Sequence, residues 1–509
     1  METRTLIAVI LSIAVLIIFQ FFYQPSESTY FKPQPDMSNR TSENIDNVGR
    51  ESSDFTSKDI SPKVPEIKQV PLVHIKNDYL DIGFNKNTGF INEIKIVNYK
   101  NKINKPVIFK TPYKDYISHN NFGHPSEPKI KKNQSSTEIE FVYDSSSVVT
   151  SRTYMLKNNS FVLEIKDRIT NKADKTIHFD YLVSVGPGLG DGFDVSRYIF
   201  SGPLIYDGKK IYKKKENKVD DDIVISNSQW FGYTSKYFLL AVIDSSFKKT
   251  TISKYEKSAI VNAANKFIIN PKGHIDHNLK IYVGPKEYNL LKSFGSHLEK
   301  SIDYGIFFFL AIPFLQILIF FNNIFHNYGV AIILLTAIIK FVTLPLNSIS
   351  MKSMKKMQKI QPEVLKIREK YKGDPQKMNA AVMELYRKNK VNPVSGCLPM
   401  LIQIPIFIAL YKMLLVSIEL KSSPFIWWLT DLSEKDPYYI TPILMGISMF
   451  IQQKMTPSTA DPTQQKMFML MPIIFTFLFI NFPSGLVIYW LVNNILTITH
   501  QYYLNKKLA

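Results

Sequence analysis

Residues 329–346 read GVAIILLTAIIKFVTLPL, an apolar run of helical length that carries one charge, that of Lys340. A run of this length and composition is long enough to cross most of a bilayer as a helix. A lysine at the centre of such a helix costs roughly 2.5–3.5 kcal/mol on insertion scales, and it usually faces protein or a water-filled cavity. The stretch therefore predicts a membrane helix with one polar face turned towards other helices.

The polar face consists of Thr336, Lys340, Thr343 and Asn347, spaced 4, 3 and 4 residues apart. The alternative is that Lys340 snorkels, because Leu346 ends the run six residues later, about 9 Å along a helix. The Cα–Cβ bond of a helical residue tilts towards the helix N-terminus, however, so the side chain would have to bend back to reach that end. We favour an inward-facing polar stripe.

Further apolar runs predict a polytopic protein. A run in residues 1–23 follows Arg4 and lacks a small-residue cleavage site, so it predicts an uncleaved signal anchor with a cytoplasmic N-terminus. Residues 306–321 are ambiguous, because Pro313 and Gln316 interrupt a short run. The remaining predicted spans are Val330–Leu346 (in 327–348) and, in 396–505, Leu398–Leu415, Tyr438–Ile451, Met467–Phe482 and Gly485–Ile498.

Charge resolves the ambiguous run. Residues 347–395 hold twelve Lys or Arg against four Asp or Glu, which predicts a cytoplasmic position. A crossing at 306–321 would place this basic stretch outside, so we expect 299–326 to form an interfacial helix. The result is six spans, both termini cytoplasmic and a short basic tail at 506–509.

The region between the first two spans is soluble in character. Residues 24–66 have the composition of a disordered periplasmic linker. Residues 67–298 contain alternating stretches such as FVLEIKDRI (161–169), TEIEFVYD (137–144) and HNLKIYVG (277–284), which predict an antiparallel β-sandwich. His274 and His277 in GHIDH have near-metal spacing, but we favour a surface loop there. The glycines of VGPGLGDGFD (185–194) indicate turns rather than a phosphate loop.

The basic stretch 349–395 predicts an antiparallel helical hairpin. Its first helix carries the apolar seam Met357, Ile360, Val364, Ile367 and Tyr371, and Asp374 and Pro375 are suited to the N-cap and first turn of the second helix. The basic exterior suits a ribosome, an acidic protein partner or lipid headgroups. The alternative is that its charge merely fixes topology. The candidate contact residues are Lys355, Lys356, Lys359, Arg368 and Lys372.

The last span repeats the polar pattern of the second. Tyr489 or Trp490 begins a stripe that continues through Asn493, Asn494, Thr497 and Gln501. Gln403 and Thr476 of other spans could join it, but for each of these two alone we favour an ordinary interhelical hydrogen bond. No Asp or Glu occurs in the five later spans, so Lys340 lacks an intramembrane carboxylate and ion-coupled transport lacks ligands. Two polar stripes together predict a hydrated groove that attracts an acidic group from outside the protein.

Three motifs carry a family resemblance: KVNPVSGCLPMLIQIPIFIALYKML (390–414), DPYYITPILMGISMFIQQKM (436–455) and FPSGLVIYWLVNNILT (482–497). They resemble the YidC insertases, related to the mitochondrial Oxa and chloroplast Albino insertases. The resemblance implies five core helices, a periplasmic β-supersandwich similar to mutarotase-like folds, and nucleotide-free insertion and chaperoning of nascent membrane proteins, alone or with the Sec translocon and its accessory subunits. A ribosome or targeting receptor would dock at the hairpin.

The resemblance places the family's positively charged groove residue at Lys340 and its threonine at Thr336. The family usually has arginine, so lysine loses the planar fork and the near-permanent charge. Trp490 replaces a second tyrosine, and the tail is short. We take the substrate groove to comprise Lys340, Thr336, Thr343, Gln403, Tyr489, Trp490, Asn493 and Asn494.

Two rival functions remain open. One is a small-solute transporter or channel, and the other is a membrane-tethered carbohydrate enzyme with paired carboxylates in the sandwich. The net charge of +19 suits an anionic membrane as well as nucleic acid, and we expect no specific nucleic acid partner. No catalytic residue, cofactor or metal is expected.

Overall fold

The computed structural model describes residues 70–100, 105–120, 124–193, 199–392, 398–456 and 462–508. These residues comprise the β domain and the helices after it. The predicted anchor at 1–23 and linker at 24–66 lie outside the described residues, as does the only cysteine, Cys397.

The β domain consists of two nine-stranded antiparallel sheets, which confirms the sandwich. The first sheet has the order β1-β2-β3-β5-β10-β17-β16-β13, with β4 paired to β3. Its strands are β1 Leu72–Lys76, β2 Leu80–Asn85, β3 Ile91–Lys100, β4 Pro106–Lys110, β5 Ile117–His119, β10 Ile177–Val185, β13 Ile223–Ser226, β16 Lys249–Tyr255 and β17 Ser258–Ile269.

The second sheet has the order β12-β11-β14-β15-β18-β9-β8-β7-β6. Its strands are β6 Lys129–Lys132, β7 Ser136–Asp144, β8 Val148–Lys157, β9 Val162–Asn171, β11 Gly202–Tyr206, β12 Ile211–Lys213, β14 Trp230–Thr234, β15 Phe238–Ile243 and β18 His274–Pro285. Alternation places the apolar residues of β7, β8 and β9 inside, as their period of two requires.

One ion pair lies inside the sandwich. Arg152 of β8 is directly opposite Asp167 of β9, and its Nε and Nη2 donate to the two carboxylate oxygens at 2.6 and 2.7 Å. Tyr181 of β10, in the other sheet, donates its hydroxyl to the same carboxylate at 2.6 Å. A buried charge pair is tolerated when hydrogen bonds satisfy it, and this one also joins the two sheets.

The surface loop expected around GHIDH is wrong. Residues 274–278 form the first half of β18, because each pairs with a residue of β9 in register. His274 is exposed, whereas His277 is buried with its Nε2 2.9 Å from a carboxylate oxygen of Asp244. The glycines of 185–190 do lie in a turn region, and Gly186, Gly188 and Gly190 all have positive φ.

Eight helices follow or end the sandwich within the described residues. They are α1 Tyr288–Ser293, α2 Phe308–Phe325, α3 Tyr328–Lys370, α4 Pro375–Lys388, α5 Leu398–Val416, α6 Ile440–Met455, α7 Pro462–Phe479 and α8 Ser484–Leu508. Short 3-10 turns occur at Glu216–Lys218, Leu298–Ser301 and Ile418–Leu420. Every predicted later span therefore corresponds to a helix.

Two of the described helices, α2 and α3, are long and apolar enough to cross a membrane by length and composition alone. Helices α5 and α7 contain shorter apolar stretches, Leu401–Val416 and Phe468–Phe479. These criteria do not separate a crossing helix from an interfacial one in the case of α2. The count of six spans stays a prediction.

Helix α3 runs without interruption for 43 residues, from the apolar stretch into the basic hairpin. Its buried positions include Met357, Ile360 and Val364, which belong to the predicted seam. The side chain of Asp374 accepts from the backbone N–H of Lys377 and caps α4, with Pro375 in its first turn, as predicted. The hairpin is thus a direct extension of the second predicted span.

Candidate groove between helices α3, α5, α6 and α8

The polar stripe of α3 faces the protein. Thr336 is 1% exposed and Lys340 is 8% exposed, whereas Phe341 and Val342, the next residues along the chain, are 75% and 71% exposed. The hydroxyls of Thr336 and Thr343 donate to the helix's own carbonyl groups, at Ile332 and Ile339. Among the described contacts, Lys340 is therefore the member of the stripe that forms a hydrogen bond with another helix.

Lys340 contacts helix α8. Its Nζ donates to the Thr497 hydroxyl at 2.6 Å, and that hydroxyl donates in turn to the carbonyl oxygen of Asn493 at 2.6 Å. No carboxylate in the described part of the chain forms an ion pair with Lys340. The ammonium is held by a neutral partner alone, as the lack of acidic residues in the spans predicted.

The direction of the Lys340 side chain differs from the expectation. Ile332 lies beside Gly485, and Ser348 contacts His500, so α3 and α8 run side by side in the same direction. The backbone of Lys340 is therefore level with a residue of α8 about four positions before Thr497, which is roughly 6 Å along the helix axis. The side chain thus bends towards the C-terminal end of α3. The expectation was wrong because the tilt of Cα–Cβ fixes only the first bond of a flexible four-carbon stem. Lys340 nonetheless ends on a hydroxyl inside the protein.

Helix α8 exchanges polar contacts with two further helices. Asn494, 3% exposed, donates through Nδ2 to the Ser448 hydroxyl of α6 at 3.0 Å. Gln403 of α5 donates through Nε2 to the hydroxyl of Tyr489 at 2.6 Å. The structure therefore brings Lys340, Gln403, Tyr489 and Asn494 into contacts made by one helix, α8.

Two predicted groove residues have different surroundings. The indole of Trp490 packs among Phe407, Phe475 and Phe479, with ring centroids 5.0, 6.3 and 5.4 Å away. Asn493 is half-buried and contributes its backbone carbonyl to Thr497. Trp490 thus joins an aromatic cluster with α5 and α7 rather than the hydrogen-bonded groups.

The basic residues of the hairpin lie mostly at the surface. Lys356, Lys359 and Lys372 are exposed or half-buried, as is Arg368. Lys355 approaches the Asn505 carbonyl of α8 with its Nζ at 3.4 Å, a long and weak hydrogen bond. Among the described contacts, this is the one that ties a candidate contact residue to α8. Lys356 and Lys359 lie further along the first helix of the hairpin, and Arg368 and Lys372 lie near its turn.

Three polar contributors were not predicted from the sequence. The Ser448 hydroxyl accepts a hydrogen bond from Asn494, and the Thr456 hydroxyl accepts one from Gln501 at 3.1 Å. His500 Nε2 lies 3.0 Å from the Ser348 hydroxyl. A signal for Ser448 was present, because Thr441, Ser448 and Gln452 are spaced seven and four residues apart on one face of α6.

Comparison with known proteins decides the family. The profile of the family described as "60Kd inner membrane protein" matches residues 320–509, and that of the "YidC periplasmic domain" matches residues 72–317. A membrane protein insertase YidC of Geotalea daltonii is 37% identical over 551 aligned positions, covering 100% of both chains. This chain belongs to the YidC membrane protein insertase family.

Two further YidC proteins are similar to this chain. The membrane protein insertase YidC of Geobacter sulfurreducens is 44% identical over 378 residues, covering 73% of this chain and 71% of its own. A crystal structure of an active YidC insertase with its first transmembrane domain resolved matches 86% of this chain and 95% of its own, at 19% identity and a TM-score of 0.38. The YidC family is named for insertion and not for a catalytic activity, and the transporter alternative finds no support.

Proposed function

We propose that this chain, as a member of an insertase family, inserts the membrane-spanning segments of nascent proteins into the inner membrane and assists their folding, without covalent chemistry. The observation that carries the mechanism is the Lys340 ammonium, buried between α3 and α8 on a single hydroxyl, that of Thr497. A buried charge without a counter-charge is stabilised by any acidic group that approaches it. An acidic or polar part of a client segment supplies such a group.

The neighbouring polar groups extend the path. Asn494, Tyr489 and Gln403 lie on or against α8, and each makes a hydrogen bond that a client's backbone or side chain can replace. Because Phe341 and Val342 are exposed on the adjacent face of α3, the apolar part of a client has lipid close by. The client's polar end would be held at Lys340 while its apolar span enters the bilayer along α3.

The proposed topology has six spans, cytoplasmic termini and the sandwich in the periplasm, with α2 at the membrane surface. Gln316, halfway along α2, donates through Nε2 to the Asn289 amide oxygen of α1 at 3.1 Å, so this part of α2 lies against the base of the sandwich. That contact favours a helix lying along the membrane surface. Labelling with a membrane-impermeant maleimide tests this topology, once Cys397 is replaced and single cysteines are placed at Lys372 and Lys280. In intact cells the reagent should label position 280 of the sandwich and not position 372 of the hairpin.

The partners of the hairpin are proposed from its charge. Lys356, Lys359 and Lys372 suit a ribosome, whose RNA surface is anionic, or an acidic targeting receptor. The contact would be electrostatic and without sequence-specific nucleic acid recognition. Cooperation with the Sec translocon would follow from the family.

Site-specific photo-crosslinking tests the insertase mechanism. A photoreactive residue is placed at Thr336 or Asn494, and a single-span nascent chain with an acidic tail is stalled on ribosomes. Phe341, 75% exposed beside Lys340, is the control position for the lipid-facing side. We expect strong crosslinks from Thr336 and Asn494 and weaker ones from Phe341.

Charge variants at Lys340 complete the test. Lys340→Arg should insert clients normally because the charge remains, and Lys340→Glu should lose insertion because it repels an acidic tail. Crosslinks that are equal at Phe341 and Thr336, or a Lys340→Glu variant with normal insertion, would place the client path elsewhere.

A further inference from the structure

A cavity of about 460 Å³ lies where the β domain meets the helices. We call it the junction cavity. Its walls come from β11 and β12, from residues 299–305, from the first turns of α2 and from the end of α5. The lining residues that matter most are Lys213, Lys286, Lys300, Ser301, Phe308 and Ile312.

One end of the junction cavity is cationic. Lys286 is 4% exposed, and its Nζ donates to the Thr234 hydroxyl at 3.1 Å without a carboxylate at ion-pair distance among the described residues. Lys213 is paired with Asp303 at 2.9 Å, and Lys300 donates to the Tyr206 hydroxyl at 2.7 Å. Three lysines thus line the cavity, and the most buried of them lacks a counter-ion within the described part of the chain.

Burial, with a smaller contribution from Lys213, lowers the pKa of Lys286 to about 7, and Asp303 opposes the change. Burial therefore disfavours the charged form of Lys286, and an anion beside it would stabilise that form. Further ionisable groups of the same wall are Tyr288, Glu299 and Tyr304, and Lys412 of α5 lies near Asp303. Glu299 approaches His297 at 3.3 Å, and no ion pair between Glu299 and Lys286 occurs among the described residues.

The hydroxyl of Ser301 is a second polar group on the cavity wall. The hydroxyl oxygen of Ser301 is buried, and no hydrogen bond to it occurs among the described residues. Buried polar groups without a partner are uncommon in folded proteins and call for an explanation. An anion with several acceptor oxygens, such as a phosphate, would accept from both Lys286 and Ser301.

The other wall of the cavity is apolar. Phe308 and Ile312 belong to α2, and Phe308 and the neighbouring Phe309 are 56% and 59% exposed. The apolar wall therefore continues onto the exposed face of the helix for which we propose a position at the membrane surface. Pockets of this volume with apolar walls and a few polar groups are typical of small-molecule sites. A ligand that satisfies both ends has an anionic head and a hydrocarbon chain.

We propose that the junction cavity binds the phosphate group of one anionic phospholipid, whose acyl chains leave along Phe308 and Phe309. The lipid would join the sandwich to α2 and α5 and fix the β domain against the bilayer. This inference rests on the proposed membrane position of α2. It does not depend on the client groove at Lys340.

Native mass spectrometry of the full chain in neutral detergent, titrated with phosphatidylglycerol or phosphatidylcholine, tests the site. The test variant is Lys286→Met, and Lys280→Met on the exposed face of β18 is the matched control. We expect phosphatidylglycerol to bind the unaltered protein and Lys280→Met with the same affinity. It should bind Lys286→Met at least about tenfold more weakly, as expected for the loss of one hydrogen bond to a charged group. Equal binding to Lys286→Met, or equal binding of both lipids, overturns the proposal.

Two further arms identify the ligand and the residue. Millimolar inorganic phosphate should not displace phosphatidylglycerol, and displacement would show that a free anion is the ligand instead. Binding should weaken from pH 6 to pH 8 in the unaltered protein as Lys286 loses its proton, and stay constant in Lys286→Arg. A pH-independent unaltered protein overturns the role of Lys286. Photo-crosslinking of clients at Thr336 is read separately, so failure of the lipid site and failure of the insertase mechanism remain distinguishable.

Discussion

Lys340→Met keeps a long side chain between α3 and α8 and removes the ammonium. The loss of its hydrogen bond to Thr497 costs about 1.5–3 kcal/mol, the range for bonds to charged groups. Removing a lysine from the centre of a membrane helix avoids a cost of about 2.5–3.5 kcal/mol. Thr497 still donates to the Asn493 carbonyl, so no donor is left unsatisfied. The free energy of unfolding should therefore change by between about −0.5 and +2 kcal/mol, where a positive change favours methionine.

Insertion should respond in the opposite way. We expect Lys340→Met to lose most insertion of a single-span client with an acidic tail, measured in proteoliposomes, while thermal unfolding in detergent shows a midpoint that is unchanged or raised. Phe341→Met is the matched control, because it changes an exposed residue of the same helix turn. Normal insertion by Lys340→Met, or an insertion defect accompanied by a lower midpoint, would refute the separation of charge from stability.

Three other perturbations test the fold around the groove and the sandwich. Arg152→Met should destabilise the sandwich by about 3–5 kcal/mol in urea denaturation, because Asp167 keeps its charge in the core, and the double variant with Asp167→Leu should recover most of that loss. Gly446→Ala should cost about 1–3 kcal/mol, because its Cβ would overlap the Thr476 hydroxyl, and Thr476→Ala should restore the thermal midpoint. Burial raises the pKa of Glu419 to about 7, so near neutral pH the folded state binds a proton that the unfolded state has lost. The thermal midpoint should therefore fall as the pH rises from 5 to 7, and it should fall less in Glu419→Gln.

The strands and helices of the fold could be predicted because their patterns are local. FVLEIKDRI has the alternation of a strand, and β9 forms there. Its apolar face contains Asp167, however, and the partner Arg152 belongs to another strand whose register depends on the intervening turn. The segment GHIDH was predicted to be a loop because histidine and aspartate do not favour strands. It becomes part of a strand through its pairing with β9.

The candidate site could be predicted in part for a similar reason. Helical periodicity places Thr336 and Lys340 on one face of α3, and Asn494 and Thr497 on α8. It does not say which faces meet. Trp490 follows Tyr489 directly, yet the indole packs against aromatic residues and the Tyr489 hydroxyl accepts from Gln403. The lysine's direction likewise depends on the position of Thr497, which is 157 residues away.

Three neutral side-chain bonds tie α8 to its neighbours: Gln403 to Tyr489, Asn494 to Ser448 and Gln501 to Thr456. Such bonds inside membranes contribute on average about 0.6 kcal/mol each, which is roughly thermal energy at room temperature. Thermal energy is therefore enough to break any one of these bonds while the others hold. Because the bonds can be exchanged one at a time, a polar group that replaces one of them does so at little cost in free energy.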